Sequence, residues 1–329
     1  PVTFRNLVCR LLLEKKNSHS GNIISYNDGL HNIFLIEDVS RRESKLTMFP
    51  KPIENTNILT QSVYKTALPI VLILWLLPLI AVALTSVRSG GDLISGNYWG
   101  WPTSFDLYEN YTSVFKNTPL AQYMWNSFRV TIPTVFGAVA LSCMTGFALA
   151  VYNFKGNILI FFLFIAGNFV PFQILMVPVR DLSVQMGVYN SVWALILFHI
   201  AFQAGFCTLF MRNFIKALPR ELIEAARVEG VNEFQIFWYI VIPLMKPAIA
   251  ALSVLIFTFI WNDYFWATVL TQGVDSQPVT AGLYSLNGQW ISQWHLVSAG
   301  SIVAALPPVL MFFTMQKHFI AGLTLGAVK

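Results

Sequence analysis

Charge is what this sequence has least of. Of its 329 residues, 11% are Asp, Glu, Lys or Arg and 55% are hydrophobic, whereas a soluble domain carries roughly 25% charged residues. That shortage excludes an ordinary water-soluble globule. Cysteine is scarcer still. Cys9, Cys143 and Cys207 show no paired spacing, which excludes a disulfide framework and a cysteine-based metal centre. The last two lie in apolar runs and read as small buried hydrophobes. No zinc-ligand spacing, phosphate-binding loop, dinucleotide fingerprint or nucleophile elbow occurs. The formal net charge of +5 would suggest nucleic acid for a soluble chain. Here the positive residues gather in polar segments, where they read as membrane topology and contact with anionic lipid, and no nucleic-acid partner is expected.

What is present is a series of apolar runs. Six are long enough to cross roughly 30 Å of hydrocarbon at about 1.5 Å per residue: 67–87, 125–152, 158–179, 191–211, 247–270 and 298–319. Each must be helical, because an open strand leaves backbone groups unpaired in lipid. The expected fold is an all-α integral membrane protein with six transmembrane helices. Asn168, Pro171 and Gln173 interrupt the third run. One side of the membrane receives Lys51, Lys65, Lys155, Arg212, Lys216, Arg220, Arg227, Lys246, Lys317 and Lys329; the other receives Arg88, Lys116 and Arg180. Positive segments stay cytosolic, so both termini and the segment 212–246 are expected there. Outer segments carry Tyr98, Trp99, Trp101, Phe105, Tyr108 and Tyr111, then Tyr284, Trp290 and Trp294. These read as an interfacial aromatic belt or as contact with an extracytoplasmic partner. The Asn110-Tyr111-Thr112 sequon reads as chance.

The chain divides into a cytosolic arm over 1–60, a first span with its outer loop over 61–122, a core over 123–320 and a cytosolic tail over 321–329. The arm is polar and weakly periodic, and the first methionine is Met48. Translation is expected to start at Met48, with 1–47 lying outside the native protein; the alternative reading is a genuine, poorly ordered cytosolic arm.

Most of the charge in the second half sits between the fourth and fifth runs. Pro219 suits the first turn of a helix, and Glu221 and Glu224 then lie where the helix dipole favours anions. Ala225 and Ala226 are small enough for another backbone to approach closely. Gly230 fits a left-handed helix stop. Asn232 is placed to cap a second helix, with Gln235 three residues later in capping-box spacing. The segment therefore reads as two short helices meeting at Gly230. On the residues alone it is equally an amphipathic interfacial helix.

The spacing within it resembles a family. Glu224-Ala225-Ala226, three residues, Gly230, nine residues, Ile240, one residue, then Ile242-Pro243 is similar to the "EAA" loop of permease subunits of binding-protein-dependent ABC importers. Ile242 stands where Leu is usual, and Glu229 where Asp is common. Similarity extends over most of 61–329 and is greatest to the six-span, maltose-permease-like subunits of the carbohydrate-uptake branch. Val170-Pro171-Phe172-Gln173-Ile174-Leu175-Met176-Val177-Pro178, Trp261-Asn262-Asp263-Tyr264-Phe265-Trp266 and the ending from Phe319 to Lys329 carry it. The resemblance implies a heteromeric importer built with a second permease subunit, a cytosolic ATPase dimer and an extracytoplasmic sugar-binding protein in a bacterial inner membrane. It implies that this chain is a transport subunit and not an enzyme, with no cofactor of its own; ATP and Mg are expected on the ATPase. It assigns ATPase coupling to Glu224, Ala225, Ala226, Arg227, Glu229, Gly230 and Asn232.

Polar groups inside spans are costly and usually have a partner or a task. Asn168, Gln173, Gln203, Asn262, Asp263, Tyr264 and Trp266 are the candidates for a substrate pathway, against a plain role in helix–helix hydrogen bonding. His199 reads as a satisfied polar core residue. A phosphorylated solute such as glycerol phosphate would want cations along the path. The spans offer almost none apart from Arg129, which favours a sugar or another neutral, polyol-type solute. A membrane enzyme is the remote alternative: it needs paired acids, a histidine cluster or a nucleophile at one interface, and the titratable groups are too scattered.

Overall fold

The computed structural model describes residues 57–285 and 293–327, with side chains as far as Gln316. The arm up to residue 56, Trp290 and the side chains of the tail lie outside the described residues, and so do the expectations that fall on them. Among the described residues there is no strand, only an isolated bridge between Arg88 and Phe105. The chain divides into two units, 1–78 and 79–329. In the first, the described part is the beginning of α1 (Ile58–Val87), where Val71, Leu72, Ile73 and Trp75 are exposed. Apolar side chains in that state need lipid as their solvent.

From Leu79 onward the order is α2 (Gly90–Ile94), α3 (Leu107–Lys116), α4 (Leu120–Val151) and α5 (Asn157–Ala166), the last running into a 3₁₀ turn at Gly167–Phe169. Next come α6 (Met176–Gln185), α7 (Val192–Ala217), α8 (Arg220–Val228) and α9 (Glu233–Ile236). A π-helical stretch, Phe237–Val241, leads into α10 (Ile242–Leu244), α11 (Lys246–Trp261), α12 (Phe265–Leu270), α13 (Val279–Ser285) and α14 (Trp294–Ala327).

Among these, four helices are long and apolar enough to cross a membrane: α1, α4, α7 and the Trp294–Gln316 part of α14. A fifth span results when the segments Glu233–Leu244 and Lys246–Trp261, bent by 73°, are taken together. The third expected run is where the structure departs from an unbroken crossing. It is divided into α5 and α6, and the helical ladder stops at Val170, whose backbone is extended. Pro171 is the cause: a residue before proline is pushed out of the α region, and proline has no N–H to give. The expected fifth run breaks too, at Asn262–Tyr264 between α11 and α12.

The centre of this unit is the pair α4 and α7, and small residues let the two backbones close up. A β-carbon on Gly146 would stand 2.9 Å from Met211 Cβ and 3.0 Å from Arg212 N; one on Gly137 would meet Ile200 Cδ1 at 2.6 Å. This is the small-residue contact that membrane helices use in place of a hydrophobic drive. Thr145 and Thr208 hydrogen-bond across the seam at 2.7 Å. Cys143 and Cys207 are buried with free thiols, as small core residues. α11 packs on α14, fixed by Trp261: its indole N–H donates to Ala304 O at 2.9 Å while its ring meets Phe128 and Phe257.

Residues 88–118 form a folded cap. Arg88 is buried at its centre and donates to Asn97 O and Gly100 O, and Asp92 accepts from the backbone and side chain of Thr103. Asn110, the sequon residue, is buried and its amide donates to Ser86 O and Arg88 O. A glycan has no access to it. On the cap's surface Trp99 and Tyr108 are 90% and 85% exposed.

Candidate functional site

Two places carry chemistry. The first is the corner between α8 and α9. Pro219 stands just before α8, in extended backbone, so the helix begins one residue later than proline at its first turn would give. Ile223 and Ala226 are buried, whereas Glu224, Arg227, Val228 and Glu229 are exposed. Gly230 has φ of +77°, the left-handed stop that lets Gly230 N and Val231 N bond back to Arg227 O and Ala226 O. Asn232 caps α9: its side-chain oxygen accepts from Gln235 N at 2.9 Å.

The corner is also clamped. Arg227 Nε donates to Glu233 Oε1 at 2.7 Å, closing an ion pair across the glycine turn. Tyr152, at the end of α4, donates its hydroxyl to the other Glu233 oxygen at 2.7 Å. Arg227 and Tyr152 therefore hold the Glu233 carboxyl below its ordinary value of 4.5. The clamp modifies two expectations. Arg227 is engaged inside the chain, and Ala226 is used for packing within it, so the face left for a partner is Glu224, Val228 and Glu229. Glu233 and Tyr152 were not singled out from the sequence, because a six-residue separation across a turn matches no helical period.

The second place is the interior beside the break in the fifth run. Asp263 gathers three elements there. Its carboxylate accepts from Trp266 N and Ala267 N at the start of α12, and its Oδ2 lies 3.4 Å from His199 Nε2 on α7. Its backbone oxygen accepts from Thr280 Oγ1 on α13. His199 is buried, with Nδ1 unbonded, and one turn along α7 the buried Gln203 has an unbonded Nε2. Buried polar atoms without partners are uncommon.

The remaining pathway candidates scatter. Trp266 is 3% exposed, its ring 3.8 Å from that of Phe198, so it is a core residue. Tyr264 is partly exposed and rests edge-on against Tyr284. Asn262 donates to Thr258 O and Asn168 to Phe164 O, each within its own helix. Gln173 is exposed in the turn between α5 and α6. Of the polar candidates, Asp263 lies against the buried His199, and the buried Gln203 is one turn from His199 on α7. Further polar clamps went unnoticed in the sequence: Asn126 and Ser127 on α4 bind backbone groups of Val274, Gln277 and Val279, and Asn190 Oδ1 accepts from Gln272 N and Ser276 Oγ. Nothing local in the sequence marks such long-range partners.

Residues 138–324 match the family described as binding-protein-dependent transport system inner membrane component. The chain is similar to the osmoprotective compounds uptake permease protein GgtD of Synechocystis, 32% identical over 84% of this chain and 96% of the relative. It is 34% identical to the arabinooligosaccharides transport system permease protein AraQ of Halalkalibacterium halodurans, over 77% of this chain and 90% of the relative. To the lactose transport system permease protein LacG of Rhizobium radiobacter it is 33% identical, over 68% and 81%. Its fold matches a chain in the crystal structure of a bacterial ABC transporter that imports the acidic polysaccharide alginate, with a TM-score of 0.70 at 22% identity, covering 83% of this chain and all of that one. The chain belongs to the binding-protein-dependent transport system inner membrane components, as a multi-pass permease subunit of an ABC importer and not an enzyme.

Proposed function

We propose that this permease imports a sugar, forms half of a translocation pathway with a second permease subunit, and is driven through the Glu224–Gly230 segment by a cytosolic ATPase dimer that binds ATP and Mg. The observation that carries the reading is the clamped corner. A lever must be rigid and tied to the part it moves. α8 is held against α9 by the Arg227–Glu233 pair and tied to the long helix α4 through Tyr152, while Glu224, Val228 and Glu229 stay open to a partner. The positive-side count supports a cytosolic position for that corner and for both termini. An extracytoplasmic binding protein then delivers the solute to the opposite face. Gln203 and Asp263 are the pathway candidates that the geometry favours, because Asp263 lies against the buried His199 and the buried Gln203 is one turn from His199 on α7. Sugar as the solute is supported by AraQ and LacG, named for arabinooligosaccharides and lactose, and by spans with almost no cations. GgtD, named for osmoprotective compounds, keeps a polyol-type or other neutral solute as the second reading. Binding of a panel of sugars, polyols and glycerol phosphate to the cognate binding protein separates these.

The lever is tested by Glu224→Lys and Gly230→Pro in the assembled transporter. Membrane insertion is expected to be unchanged and substrate-stimulated ATP hydrolysis to fall to the unstimulated rate. Full stimulation in both variants would overturn the assignment.

A further inference from the structure

Three cations, Arg212, Lys216 and Arg220, follow one another where α7 gives way to α8. Arg212 is held at the seam where α4 ends and α5 begins. Its Nε donates to Leu149 O at 3.2 Å, and its guanidinium lies 3.8 Å from the centre of the Phe161 ring. Lys216 follows four residues later and Arg220 four after that, both exposed. Ion pairs within 4 Å among the described residues are Arg88–Asp92 and Arg227–Glu233, and His199 lies beside Asp263. None of them neutralises this group. Like charges held together repel, so the arrangement calls for an anion.

The adjoining surface says which kind. α5 begins beside Arg212, and Ile158, Leu159 and Phe162 on it are 65%, 64% and 60% exposed, next to an exposed Phe154. A ligand that covers both regions has a negative headgroup and hydrocarbon chains.

We propose that Arg212, Lys216 and Arg220 bind the phosphate of an anionic phospholipid whose acyl chains lie along α5. Arg212, pinned on Phe161, offers its terminal nitrogens in a fixed direction, and Lys216 on the last turn of α7 and Arg220 at the start of α8 close on the phosphate.

The test is native mass spectrometry of the purified full-length chain, with the subunits that accompany it, titrated with phosphatidylglycerol, phosphatidylcholine or inorganic phosphate. Wild type is expected to retain phosphatidylglycerol over phosphatidylcholine. Each cation near a charged headgroup contributes about fivefold to affinity, so the Lys216→Gln/Arg220→Gln double variant should bind phosphatidylglycerol on the order of thirtyfold more weakly. Both residues are exposed, which keeps folding intact; Arg212→Gln added to the pair should remove the preference altogether. Undiminished retention in the double variant overturns the proposal. So does full competition by inorganic phosphate, which would make the ligand a free anion. Loss of an accompanying soluble subunit with lipid retention unchanged would make the cluster a protein interface and overturn it as well.

Discussion

Gly205 has no room for a methyl group. A β-carbon there would stand 2.2 Å from Phe164 O and 2.1 Å from Asn168 Nδ2. Asn168 can rotate away, but the carbonyl is part of α5, so the helix itself must retreat from α7. Gly205→Ala should destabilise the chain by about 1–3 kcal/mol, the usual cost of overpacking, visible as a lower thermal midpoint in detergent. An unchanged midpoint would mean that α5 is free to move off α7. At Asp263 the question is which of its contacts matters. Asp263→Ala deletes both acceptors at the start of α12 and leaves His199 without its neighbour. Loss of a cap alone costs about 0.5–2 kcal/mol. Asn keeps an acceptor, so Asp263→Asn should lower the midpoint less than Asp263→Ala. Equal losses would place the importance in the negative charge rather than the cap.

Among the elements, the α8–α9 corner shows what a sequence can display and what it hides. Glycine stop, asparagine cap and amphipathic face all follow local spacing, and all three stand where that spacing puts them. Hidden were the contacts made across the turn and across the chain: Arg227 to Glu233, and Tyr152 to Glu233 over 81 positions. The same division holds in the membrane interior. Apolar periods mark where spans run, and prolines mark where the third one breaks. Whether a polar residue in a span faces a pathway, caps a helix or is covered by a ring depends on its neighbours in space, which is why Trp266 turned out to be core. The clamp has a pH signature. Glu233 titrates below its ordinary 4.5 in the fold because Arg227 and Tyr152 favour its ionised form. Its contribution is therefore complete above pH 4.5 and is lost as pH falls through the lower folded value. Amide hydrogen exchange over 220–236 should be slower in wild type than in Glu233→Gln at pH 7. The two should converge in acid; a difference that persisted there would show that the ionised pair is not what holds the corner.

For the whole molecule the telling feature is what one chain leaves uncovered. Between α5, α6 and α7 lies a cavity of about 560 Å³ lined almost entirely by apolar groups, among them Leu163, Leu175, Leu197 and Phe202. Beside it the interrupted segment presents Phe169 at 80% exposure and Ile174 at 68%. Backbone that leaves the helical ladder at membrane depth, as at Val170, is tolerated only where protein or a water-filled cavity covers it. Lipid cannot hydrogen-bond those groups, so the break between α5 and α6 should be completed by a second permease subunit packed over it. Produced with that subunit, the chain should resist proteolysis and melt at a higher temperature than when produced alone. The gain should shrink in Ile174→Arg, which sets a charge into the contact. A chain equally stable alone, in lipid that supports activity, would show that α5 and α6 close the gap by themselves and that the partner packs elsewhere.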